Sequence, residues 1–262
     1  MAEVTTGSLS AALPKIIAQA RAVKENAGVW QRTCTVERQA EGTGEDWIQY
    51  TIAQIAAGDT TETTDNRNYV SYTGSSLTIT PAMSQIVIKV TDRSKRKLAK
   101  LVTEKFGPLA GNAMRRKKDE DYLALFGSFA TATSPGTGNP LSSGHIFAAK
   151  NRITSNVTEA STAEVYTVLH GFQIFDIQSE LLAGVGTFTV PEGMTAEVFK
   201  KGFRGSVGGS NLFEDGNITV DSVPDANGAT HSKEGVLAIL SMTLKFKTDY
   251  DMYFGGGAEA IS

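Results

Sequence analysis

The strongest constraint on the fold lies in residues 46–90. Ile48, Tyr50 and Ile52 alternate with polar residues, and Ile86, Ile88 and Val90 repeat the pattern. That period of two reads as strand. Between the two runs lies Gly58-Asp-Thr-Thr-Glu-Thr-Thr-Asp-Asn-Arg67, polar and Thr-rich, followed by weaker strand signals at 69–72 and 77–80. The whole reads as a long hairpin with a polar outer half. An isolated two-stranded hairpin is marginal in water, and a connection this long is unusual inside a compact domain. The hairpin is therefore expected either to lie on another subunit or to be partly disordered.

The segments around it follow from periodicity and punctuation. Residues 1–45 read as an arm, with a helix that begins at Pro14 and fades near Asn26-Ala27-Gly28. A helix of that length is marginal alone and must dock on something. Residues 92–128 read as a long helical block through Leu98, Leu101, Val102 and Phe106, resuming through Leu109, Met114, Leu123 and Phe126. Gly107-Pro108 is expected to kink or interrupt it. Residues 129–145 are a loop by composition. Ser161-Thr-Ala-Glu164 matches a capping box, and Val165, Val168, Leu169, Phe172 and Phe175 then share a helical face. Gly184 and Gly186 close that helix. A short strand at 187–190, a short helix at 195–199 and a flexible glycine-rich loop at 202–210 follow. Then come a strand at 218–223, a turn at 224–228 and a last apolar strand at 236–247, buried on both faces in its first half. The tail FGGGAEAIS reads as soft.

Charge is distributed unevenly. Arg93, Lys95, Arg96, Lys97, Lys100, Lys105, Arg115, Arg116, Lys117 and Lys118 face a single acid, Glu104, within residues 93–118. That window is +9. The net charge of −3 then leaves −12 for the rest. Such blocks speak about partners. Asp119, Glu120 and Asp121 follow at helical spacing, so part of the block is expected to pair locally. The remainder suits the phosphates of a nucleic acid. Phe106 and Tyr122 are the only aromatics near it, which favours non-specific charge neutralisation over base stacking.

Catalytic patterns are missing. His145, His170 and His231 show no i,i+3 or i,i+4 pair, and His170 falls on the helix expected after 161. Cys34 is the single cysteine, which excludes an internal disulfide and a multi-cysteine metal site. No Walker A or GxSxG pattern occurs, and the glycine-rich stretches do not follow strand and precede helix as a phosphate cradle requires. No cofactor or metal is expected, and no enzymatic activity. No apolar run is long enough to span a bilayer, and the N-terminus lacks the basic and apolar regions of a secretory signal.

The order of an arm, a long hairpin, a long basic helix, a glycine-rich α/β region and a final apolar strand resembles the tailed-bacteriophage major capsid protein, an α+β chain of the HK-97-type fold. The resemblance covers nearly the whole chain and is one of segment order. It implies an N-terminal arm at 1–45 and an extended β-hairpin loop at 46–90. It implies a peripheral domain with a long spine helix at 91–159, an axial domain at 160–230 and a return to the peripheral domain at 231–262. It further implies self-assembly as hexamers and pentamers into an icosahedral shell of the virion around double-stranded DNA, assembled in the bacterial host cytoplasm. Scaffolding, portal and decoration proteins would be separate partners, and no membrane is involved. On that reading Arg93, Lys95, Arg96, Lys97, Lys100, Arg115, Arg116, Lys117 and Lys118 face nucleic acid. Trp47, Tyr50, Asp59, Asp65, Arg67, Tyr69 and Tyr72 face neighbouring subunits. Some members crosslink through a lysine on the extended loop; residues 46–88 contain none, and Lys89 sits at the base. An encapsulin-type compartment around a cargo enzyme shares the fold. A soluble α+β enzyme or ligand-binding domain is the reading without assembly.

Overall fold

The computed structural model describes residues 26, 28–40, 46–59, 61–62, 71–97, 100–129, 133–156, 160–182, 205–220, 225–241, 248–251 and 258–261. The expected helix after Pro14, the strand at 187–190 and the helix at 195–199 lie outside them.

A four-stranded sheet holds the second half of the chain. Its centre is β5 (Val165–Leu169), paired in parallel with β7 (Ser210–Glu214) and antiparallel with β8 (Ala229–Ser232). β6 (Ser206–Val207) extends the sheet beyond β7. All five residues of β5 are buried. Successive side chains point to opposite faces, as strand geometry requires, and the last two enter different apolar clusters. Val168 joins Trp30, Cys34, Tyr122, Phe126, Ile218 and Val236 on one side. Leu169 joins Ile146, Ile174, Ile177, Val207 and Leu212 on the other. Thr167 is buried too, and its hydroxyl bonds sideways to Ser210 Oγ at 2.6 Å and Thr230 Oγ1 at 2.9 Å.

This sheet corrects the helix expected after Ser161. The residues Val165-Tyr-Thr-Val-Leu169 are β-branched or aromatic at four positions and suit a strand buried on both faces, whose period cannot be told from a buried helix. The Ser161 hydroxyl donates to Ser232 Oγ at 2.8 Å instead of opening a helix. The helix, α5 (Gly171–Leu182), begins after the strand. His170 lies at its start. Its Nδ1 accepts the Phe172 N–H at 3.3 Å, and its own N–H donates to Gln173 Oε1 at 3.1 Å, a reciprocal cap.

A helix missed in the sequence, α4 (Ser143–Thr154), packs near this sheet. Two carboxylates of α5 hold its N-terminus: Glu180 accepts the Ser143 N–H at 2.6 Å, and Asp176 accepts the Leu141 N–H at 3.1 Å. The stretch expected as a flexible glycine-rich loop is, over 205–210, a tight hairpin joining β6 to β7. Gly208 and Gly209 have φ of 59° and 78°, the left-handed pair a two-residue turn needs.

The long helix α3 (Lys100–Ala124) follows the short α2 (Asp92–Lys97). Pro108 lies inside α3, so the helix is not interrupted there. A proline inside a helix costs about 3 kcal/mol. The anchoring of the C-terminal half of α3 by Tyr122 and neighbouring residues in the core offsets that. A 3₁₀ turn, Leu125–Ser128, closes the block.

α1 (Trp30–Thr33) and β1 (Thr35–Arg38), at the end of the segment read as an arm, pack on the body of the subunit. Trp30 and Cys34 lie in the core, and β1 pairs in parallel with β9 (Leu237–Leu240). Among the described residues β9 has that one partner, and it is half-buried rather than buried on both faces. Residues 218–220 make only an isolated bridge, Val220 to Ala226, instead of a strand. The tail is not soft throughout. β11 (Ala258–Ile261) lies between β10 (Thr248–Asp251) and β4 (Ile88–Thr91), antiparallel to both. Its small residues carry no periodic signal; two flanking strands supply its hydrogen bonds.

Candidate assembly and nucleic-acid surfaces

The hairpin is shorter than expected. β2 (Trp47–Ile52) pairs antiparallel with β3 (Gly74–Ile79), while β4 leaves the ribbon and joins β11. Pro81, which cannot donate a ladder hydrogen bond, lies just past the end of β3. The register places Ile48, Tyr50 and Ile52 opposite Thr78, Ser76 and Gly74 on one face, and Trp47 and Gln49 opposite Ile79 and Leu77 on the other. Ile48 is 65%, Tyr50 58% and Ile52 59% exposed. Gly74 has a specific use. A Cβ there would stand 2.1 Å from Tyr50 Oη, so the tyrosine ring lies across bare backbone. Beyond the ladder, Ile55, Tyr72 and Met83 are exposed as well.

The two strands thus form a ribbon with solvent on both faces, a patch that soluble monomers rarely leave bare. Trp47 is half-buried at its base, where Thr80 Oγ1 donates to Asp46 Oδ1 at 2.5 Å. Asp59 is exposed on the outer half. Asp65, Arg67 and Tyr69 lie outside the described residues.

The basic block divides into parts. Arg93 and Arg96 are exposed on α2, and Arg115 is exposed on α3. Among the described residues none of the three forms an ion pair. Arg116 pairs with Glu120 at 3.4 Å, and Lys117 pairs with Asp121, as the i,i+4 spacing predicts. The Asp121 carboxylate raises the Lys117 pKa. Lys118 is half-buried. Lys95 and Lys97 belong to α2 and Lys100 to α3.

Asp119 does not join the surface pairs. It is fully buried, and so is Asp215 at the end of β7. Asp119 Oδ1 accepts the Val29 N–H at 3.0 Å and the Trp30 N–H at 3.4 Å; its Oδ2 accepts Asn217 Nδ2 at 2.8 Å. Asp215 Oδ2 accepts the same Val29 N–H at 3.2 Å, and Oδ1 accepts the Asn217 N–H at 2.9 Å. One helical turn beyond Asp119, Tyr122 Oη donates to His231 Nε2 at 2.6 Å and accepts from Thr33 Oγ1 at 2.9 Å. His231 Nδ1 donates to the Ser232 carbonyl at 3.0 Å, so the imidazole is satisfied in its neutral form. Burial pushes the His231 pKa down and the Tyr122 pKa up. Cys34 donates to the Trp30 carbonyl, and burial pushes its thiol up to about 11. A protonated, buried thiol is a poor nucleophile. The polar groups at this junction are spent on one another and tie α1, α3 and the sheet together.

Among the described residues, no group of three or more His, Cys, Asp or Glu could hold a metal ion, and no helix is long and apolar enough to cross a membrane. No protein-family model and no curated protein matches the sequence. Solved structures do match. The capsid structure of the cyanophage P-SCSP1u superposes with a TM-score of 0.68 at 14% identity, covering 98% of this chain and 89% of that one. A structure of Mycobacterium phage Che8 gives 0.70 at 14% identity, covering 95% and 89%. The capsid of a native GTA particle gives 0.63 at 10% identity, covering 95% and 88%. The chain has the HK-97-type capsid fold.

Proposed function

We propose that the chain is the major capsid protein of a tailed bacteriophage, assembling as hexamers and pentamers into the icosahedral shell around double-stranded DNA. The observation that carries this reading is the β2–β3 ribbon. In a chain with a capsid fold, it presents apolar side chains that none of the described residues covers. Residues 46–90 then act between subunits, with Trp47, Tyr50, Asp59, Asp65, Arg67, Tyr69 and Tyr72 on the contact. The β4–β10–β11 sheet supports the peripheral assignment of 91–159 and 231–262, because it ties the strand that leads into 91–159 to two strands of 231–262. The sheet built on β5 supports the axial assignment of 160–230, although β8 straddles its boundary. Purified full-length chain should elute in the megadalton range and protect DNA from nuclease. A monomer that stays monomeric at high concentration would sink the reading, and particles loaded with protein instead of DNA would turn it to a compartment shell.

The exposed arginines direct the nucleic-acid part. Changing Arg93, Arg96 and Arg115 to Gln should leave the fold intact, because exposed charges contribute little to it. Affinity for duplex DNA should fall, and the log–log salt slope should shrink by roughly 1 per lost phosphate contact. An unchanged slope would place these side chains away from DNA.

A further inference from the structure

Asp119 and Asp215 come from distant parts of the chain, are both fully buried, and accept the same Val29 N–H at 3.0 and 3.2 Å. Two carboxylate oxygens that share one donor cannot both carry full charge without repulsion. The segment they grip is shaped for the grip. Gly28 has φ 70°, and a Cβ there would stand 2.2 Å from Asp119 Oδ1. Asn26 lies against Gly216, next to Asp215, at 2.8 Å from where a Cβ would be. We propose that the two carboxyls form a proton-gated clasp on Val29–Trp30, closed while they share a proton and loosened when it leaves.

Asp119 accepts three hydrogen bonds; Asp215, the carboxyl that is pushed up, carries the shared proton and turns it toward Asp119. Burial, and behind it the Asp119 carboxyl, pushes Asp215 up to about 6. Among the described residues, the titratable group that feels both carboxyls is Tyr122 on α3, with Cys34 after α1 and His231 on β8 beside it. Tyr122 and Cys34 are both shifted upward and stay protonated. Among the described residues, no lysine or arginine forms an ion pair with either carboxyl. A carboxyl whose folded pKa is raised stabilises the fold fully below its unfolded value, and that contribution is lost as pH rises through the folded one. For Asp215 the window runs from 3.8 to about 6. His231 has the opposite sign, since its lowered pKa costs stability as pH falls below 6.5. Global stability mixes the two effects, so the clasp must be read locally. It concerns contacts inside one subunit and does not depend on the shell reading.

The test is hydrogen exchange of residues 28–34 in the full chain, corrected for intrinsic rate. Wild type should lose about tenfold in protection between about pH 5 and about pH 7.5. Asp215→Asn keeps a donor toward Asp119 and removes the titration, so its protection should be flat. The infrared band of a protonated buried carboxyl should be present in wild type at the lower pH, gone at the higher, and absent from the variant. Equal pH dependence in both proteins overturns the clasp. If the variant fails to fold, wild type alone decides: protection that is flat or rises with pH, or a missing carboxyl band, overturns it.

Discussion

Replacing Ile48, Tyr50 and Ile52 together by Ser should leave the subunit folded and abolish stable particles. All three project from one face of the β2–β3 ribbon and are more than half exposed in the single chain. Their removal opens no cavity in either apolar cluster. In an assembly, burying the rest of each side chain would contribute about 1–2 kcal/mol. Three such losses in every subunit add across a lattice in which each subunit is held by several neighbours. Circular dichroism should be unchanged, while sedimentation and electron microscopy should show free subunits or fragile fragments. Normal particles from the triple variant would mean that the ribbon is not the contact. A matched change on the other face, Gln49→Ala, should have little effect.

That ribbon shows how far the sequence can be read. The alternation at 48, 50 and 52 was visible, as was the polar stretch that follows, and together they announced strands without support. The pairing partner was not. Ile88 and Val90 carry the same alternation as the true partner but belong to another sheet. Register across such a gap depends on contacts that period alone does not encode. The basic helix was legible because charge and 3.6 periodicity survive in one dimension. β5 was not, because Val165, Val168, Leu169, Phe172 and Phe175 fit a helical face although the first three are strand and the last two are helix. Phe172 and Phe175 turn out to be exposed, so the apparent face was never a single surface. β11 had no signal of its own, since its order comes from β4 and β10. The Asp119–Asp215 pair was invisible for the same reason. Two acids far apart in sequence have no spacing that marks them as neighbours.

Asp119, Glu120 and Asp121 put the difference between local and tertiary signals into measurable form. By spacing, all three acids could pair with the basic residues one turn back, and Glu120 and Asp121 do so on the surface. Exposed i,i+4 pairs of this kind contribute about 0.3–0.5 kcal/mol. Glu120→Ala should therefore shift stability by no more than about 0.5 kcal/mol. Asp119→Ala should cost about 2–4 kcal/mol, because it strips the acceptor from the Trp30 N–H and the Asn217 amide inside the core. Val29 would keep only the longer bond to Asp215. Denaturant unfolding should be read at about pH 5, where the shared proton holds the clasp closed and the full loss is seen. At about pH 7.5 the same substitution also removes the repulsion between two buried anions, so its cost should shrink. Equal small effects for Asp119→Ala and Glu120→Ala would return Asp119 to the surface and remove the junction it anchors. A cost for Asp119→Ala that grows with pH would reverse the sign of the electrostatics assigned to the pair.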